Sequence, residues 1–73
     1  MYKLVGLREV KQGEYLELHV EYKAPGLKFG LCVDKIFVFA NICEGVPREG
    51  CSVDVYCLPD SQGKARITKV SFK

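Results

Sequence analysis

Tyr15-Leu16-Glu17-Leu18-His19-Val20-Glu21-Tyr22 alternates without a break: Leu16, Leu18, Val20 and Tyr22 fall on one face, Tyr15, Glu17, His19 and Glu21 on the other. A strict period of two marks a strand with one side in a core and one toward water. On the N-terminal side, Tyr2 to Val10 is rich in strand formers, and Lys11-Gln12-Gly13-Glu14 is a tight turn whose glycine accepts a positive φ. The two strands therefore form a hairpin. Gly6 breaks the phase of the first strand, since Leu4, Val5 and Leu7 do not alternate cleanly. A strand glycine with a phase slip predicts a bulge, the device that curls a sheet.

On the C-terminal side, Lys23-Ala24-Pro25-Gly26 is a second turn. Leu27, Phe29, Leu31 and Val33 then alternate inward against Lys28, Gly30 and Cys32, which predicts a third strand. The run Ile36-Phe37-Val38-Phe39 fits a buried strand or a short buried helix, and its β-branched and aromatic residues favour strand. Gly45, Pro47 and Gly50 mark a connection from Asn41 to Gly50. Cys51 to Leu58, with Val53, Val55 and Cys57 inward, and Ala65 to Phe72, anchored by Ile67, Val70 and Phe72, flank the polar turn Pro59 to Lys64. The phase slips again near Lys69, where a second bend is expected. Five strands, with the longest connection between the third and fourth, predict an all-β domain built as a five-stranded OB-like Greek-key barrel. An SH3-like barrel is the alternative. Closure would also hide strand edges that so small a sheet otherwise exposes.

The totals agree with one domain. A chain of 73 residues buries only about 60% of its unfolded surface, so its core is small. The 48% apolar content is that of a globular chain. The longest apolar run, Ile36 to Ala40, is far short of the roughly 20 residues that span a bilayer. The opening Met1-Tyr2-Lys3-Leu4-Val5-Gly6 has no signal-peptide character, and a cytoplasmic protein with no membrane partner is expected. Cys32, Cys43, Cys51 and Cys57 are 11, 8 and 6 residues apart, unlike the close pairs of a structural zinc site, and are expected as reduced, mostly buried thiols.

Catalytic chemistry finds little to stand on. The single histidine, His19, sits on a solvent-facing phase among glutamates, with no nucleophile placed beside it in sequence. No glycine-rich phosphate loop occurs, because Gly26 and Gly30 lack the strand-to-helix setting that such loops need. Neither an enzyme, a cofactor nor a small-molecule substrate is expected.

A binding surface is easier to place. The formal charge is +2, and beyond Asp60 every charge is positive: Lys64, Arg66, Lys69 and Lys73. Tyr15 and Tyr56 fall on outward phases, where rings are open to base stacking. Lys11, Lys28, Lys64, Arg66 and Lys69 lie in turns or on outward phases, as phosphate-binding cations do. Glu14, Glu17 and Glu21 oppose such a surface on the second strand. The alternative is a protein-interaction module or oligomerising accessory protein, since Phe37, Phe39, Ile42 and Val46 crowd one connection.

The stretch Pro47-Arg48-Glu49-Gly50-Cys51-Ser52-Val53-Asp54-Val55-Tyr56, followed by Gly63-Lys64-Ala65-Arg66-Ile67 and joined to the opening Met1 to Val10, resembles small uncharacterised proteins of phages and mobile elements of Gram-positive bacteria. Those are similar in turn to the single-stranded DNA-binding proteins of filamentous phages, which are OB-fold dimers. The resemblance implies a helix-destabilising protein that coats single strands cooperatively, with single-stranded DNA and a second copy of the chain as partners. The phage proteins carry long hairpin wings, whereas the first turn here is only Lys11 to Glu14, with Tyr15 the nearest aromatic.

Overall fold

The computed structural model describes residues 2–73. Six strands form one mixed sheet: β1 (Tyr2–Val10), β2 (Tyr15–Tyr22), β3 (Cys32–Phe39), β4 (Cys43–Glu44), β5 (Ser52–Pro59) and β6 (Ala65–Phe72). A 3-10 turn, Ala40–Ile42, joins β3 to β4. The order across the sheet is β3-β2-β1-β5-β6-β4, so β5 returns over a long connection to lie beside β1. All neighbours run antiparallel except β4 and β6. No helix among the described residues is long and apolar enough to cross a membrane.

Both expected bends are present. The β1–β2 register shifts between Leu4 and Gly6, leaving Val5 as the extra residue. In the C-terminal hairpin, Tyr56 pairs with Lys69 but Cys57 pairs with Ile67, so Thr68 is extra, and its hydroxyl donates to the Tyr56 carbonyl at 3.3 Å. The β1–β2 turn takes three successive positive φ values, at Lys11, Gln12 and Gly13. The β5–β6 turn is held by Asp60, whose Oδ1 accepts from the Gln62 and Lys64 backbone N–H groups at 2.9 Å each.

These bends gather the inward phases into one core of Leu4, Leu16, Leu18, Val20, Val38, Val53, Val70 and Phe72. The core draws on every main strand, so it is the one body of apolar contact that all of them share.

Three expectations need correction. The third strand is Cys32–Phe39, paired along its length with β2 from Tyr22↔Cys32 to Tyr15↔Phe39. Leu27, Phe29 and Leu31, expected inward, lie in an exposed loop, where Gly26 and Gly30 take positive φ and interrupt the strand geometry. The sheet is also not closed into a barrel. Beyond Phe39 the chain turns, with the Ala40 N–H donating to the Glu14 carbonyl, and β4 pairs with only Val70 and Ser71 of β6. Gly45, at φ 86 against the Phe72 carbonyl, has no room for a Cβ and lets the chain leave that pairing. A seam therefore stays open between β3 and residues 65–69 of β6. Third, no cysteine is fully buried. Cys32, Cys43 and Cys51 are half-buried, and Cys57 is exposed because the distal half of the C-terminal hairpin projects past the core. Tyr22 lies on the inward phase as expected, half-buried at the core margin, its hydroxyl donating to Asp34 Oδ2 at 2.7 Å and its ring set edge-on to Tyr2.

Candidate nucleic-acid interface

The outer face of β1–β2–β3 is built by register. Cross-strand partners share a face, so the pairings place Val10, Tyr15 and Phe39 in one row and Arg8, Glu17 and Phe37 in the next. Gly6, His19 and Lys35 form a third row, and Lys3, Glu21 and Val33 a fourth. The inward phases Leu16, Leu18, Val20 and Val38 are buried, so these rows stand on the side away from the core.

Three aromatic rings lie at one end of this face. Phe37 is 58% exposed and Phe39 49%. Tyr15, half-buried, packs against Phe39 with ring centroids 4.6 Å apart and planes tilted by 35°. Cations stand over them: Lys11 Nζ is 5.3 Å from the Tyr15 ring centre and Lys35 Nζ is 5.9 Å from that of Phe37. Both fall within the reach of a cation–π contact.

Of the three glutamates that oppose anion binding in the sequence, Glu17 and Glu21 are paired with cations, and Glu14 is exposed in the turn before β2. Glu17, only 6% exposed, is the hub of a charge cluster. His19 Nε2 donates to its Oε2 at 2.8 Å, Arg8 Nε lies 3.5 Å from the same oxygen, and Lys35 Nζ lies 3.9 Å from Oε1. The hydrogen bond from His19 is the largest cause holding the Glu17 carboxyl below its ordinary value; burial pushes the other way, and the charges of Arg8 and Lys35 add to the lowering. Gly6 gives His19 room, because His19 Cβ lies 3.2 Å from where a Gly6 side chain would begin. Glu21 pairs with Lys3 at 3.6 Å.

The outer face of the C-terminal hairpin is sparser. Tyr56 is exposed, with Lys69 Nζ 5.4 Å from its ring centre. Lys69 is shared with Glu44 at 3.1 Å, and Lys73 is bound to Asp54 at 2.9 Å. The hydrogen bond to Asp54 is the main cause raising the Lys73 pKa. Arg66 sits opposite Leu58, and Lys64 lies in the turn.

The sequence-predicted residues thus fall in three places. Lys11 and Tyr15 belong to the β1–β2–β3 face; Tyr56, Lys64, Arg66 and Lys69 belong to the C-terminal hairpin; Lys28 stands alone in the β2–β3 loop. Sequence reasoning assigned Phe37 and Phe39 to a protein-interaction patch rather than to this face, read Glu17 only as an opposing charge, and missed Lys35 and Arg8. The signal lay in parity, since once Val38 is set opposite Leu16, Phe37 and Phe39 must point outward. A scan of protein-family models, the curated proteins and the solved structures matches nothing to this chain.

Proposed function

We propose that this chain is a small OB-type barrel, partly open, that binds single-stranded DNA on the outer face of β2–β3. A fourth main strand returning beside the first gives the 4-1-2-3 order of a Greek key. OB folds of this kind are partly open, and they use the face of their second and third strands with the adjoining hairpin turns.

One observation carries the reading: Tyr15, Phe37 and Phe39 share a face with Lys11, Arg8 and Lys35 while the carboxylate among them is neutralised. Bases stack on exposed rings whatever their sequence, and cations in the same rows take the phosphates between successive bases. Duplex DNA presents no unstacked base, so the platform favours single strands. The C-terminal hairpin, with Tyr56, Lys64, Arg66 and Lys69, extends the path of the strand, and Lys28 adds a remote phosphate contact. Single-stranded DNA and further copies of this chain, in the cytoplasm, are the partners proposed.

Titration of a labelled oligothymidine at two salt concentrations tests it. Binding is expected at low salt and falls by the counterion-release slope of about −0.7 per phosphate contact at high salt. A matched duplex is expected to bind more weakly at both. Absence of oligothymidine binding at low salt overturns the proposal.

A further inference from the structure

The β2–β3 loop and the open seam form a complementary pair of features. The loop, residues 23–31, stands off the body: space is open at both Gly26 and Gly30, and Phe29 between them is 85% exposed. Leu27 and Leu31 flank that ring and are exposed as well. A tip with three large apolar side chains and no cover is costly to leave in water.

The seam is its counterpart. It is a cleft of about 620 Å³ between β3 and the C-terminal hairpin, walled by Val38, Ile42, Leu58 and Ile67, with Asp60 and Arg66 also in the lining. That volume lies within the range of pockets that enclose a whole small ligand. The polar groups suit the loop: Lys28, next to Phe29 in the chain, is opposite in charge to Asp60, and an arginine such as Arg66 stacks on aromatic faces.

The two features do not meet within one molecule. The loop leaves the sheet at the Tyr22–Cys32 end of β2–β3, and the cleft begins at Phe37–Phe39. Seven residue-to-residue steps separate Cys32 from Phe39, roughly 23 Å at about 3.3 Å per step. To reach the cleft, the loop must belong to another copy of the chain.

We propose that the Phe29 loop of one copy seats in the seam cleft of another, with Lys28 set against Asp60. A phenylalanine side chain offers roughly 150–250 Å². Three apolar side chains together fall below the ~800 Å² per partner of a standard interface. The contact therefore belongs to the weak class and acts at high local concentration.

The test is complementation in the absence of nucleic acid, so its outcome is independent of the DNA-binding reading. Phe29→Asp removes the tip and leaves the cleft intact; Leu58→Asp charges the cleft and leaves the tip intact. Both side chains are largely exposed, and thermal melts verify that the variants fold. Sedimentation velocity at concentrations on the order of hundreds of micromolar reads the association. Wild type is expected to exceed the mass of one chain, and each variant alone is expected to associate at least about tenfold more weakly. An equimolar mixture of the two is expected to recover a species of two chains, because it restores one good tip and one good cleft. A monomeric wild type, an undiminished Phe29→Asp or Leu58→Asp variant, or a mixture that stays monomeric overturns the proposal.

Discussion

The two outer faces of the sheet differ in how their charges are spent. On β1–β2–β3, one buried carboxylate, Glu17, is shared among His19, Arg8 and Lys35, and three aromatic rings stand beside that cluster. On the C-terminal hairpin the cations are paired one to one, Lys69 with Glu44 and Lys73 with Asp54, around the single ring of Tyr56. In the first region the positive groups outnumber the acid they surround. In the second, local pairing leaves Lys64 and Arg66 as the cations available to a phosphate. Sequence charge counts favour the second region, since every charge beyond Asp60 is positive. Pairing in three dimensions narrows that difference, since Lys69 and Lys73 are each taken up by an acid while Arg8 and Lys35 together face the one carboxylate of Glu17.

The largest effect expected is on what the two regions share. Leu18 is fully buried beneath the β2–β3 platform, and Leu18→Ala should cost about 2–5 kcal/mol. A chain of this size has roughly 4–11 kcal/mol of stability, taking about 0.05–0.15 per residue. Denaturant unfolding should therefore show a markedly lower midpoint, with both faces lost in the same transition. Separate transitions would show that the hairpin folds apart from the rest.

Substitution of the rings separates the faces directly. Phe37→Ala should weaken oligothymidine binding by about 1–3 kcal/mol, or roughly 5- to 150-fold, as loss of one stacked base does. Tyr56→Ala should weaken it less than about threefold in the same anisotropy titration. The reverse order would move the platform to the C-terminal hairpin.

Glu17→Gln sharpens the charge argument. The folded chain holds this carboxyl below its ordinary 4.5, so its contribution to stability is complete above that value. The contribution is lost as pH falls through the lower folded value. The variant should be less stable near neutral pH and should show a flatter decline in melting temperature on acidification. With Arg8 and Lys35 released, it should also bind oligothymidine more tightly and with a steeper salt dependence. Unchanged binding would show that the cluster lies off the path of the strand.

The smallest effect concerns Tyr22 at the margin of the core. Its hydrogen bond to Asp34 is the chief cause pushing the Tyr22 hydroxyl up to about 12. Alkaline titration followed by tyrosinate absorbance should show one tyrosine ionising near that value, and Tyr22→Phe should remove the step. Because the folded value is raised, the stability it represents is present below the ordinary 10 and is lost as pH rises toward 12. Oligothymidine binding should be unaffected.

Much of the fold was legible because alternation and turn chemistry are local. The β1–β2 hairpin, the bulge at Gly6, the C-terminal hairpin and the slip beside Lys69 follow from period, glycine placement and polar turn residues. The third strand was misplaced because Leu27-Phe29-Leu31-Val33 alternates as well as a true strand does. What decided against it was pairing: β2 takes Cys32–Phe39 as its partner, and the alternating stretch becomes loop. The same error hid the platform, since a continuous run such as Ile36-Phe37-Val38-Phe39 gives no phase until a neighbour fixes one. Glu17 was only partly within local reasoning, since His19 shares its strand and face while Arg8 and Lys35 stand on β1 and β3. Its three partners come from three strands, and its shielding exists only once those strands are side by side.

Amide chemical-shift mapping during an oligothymidine titration tests the central claim most directly. The largest shifts are expected at residues 8–11, 15–19 and 35–39, with smaller ones at Tyr56, Lys64, Arg66 and Lys69. Shifts concentrated in the C-terminal hairpin while residues 35–39 stay unmoved would contradict it.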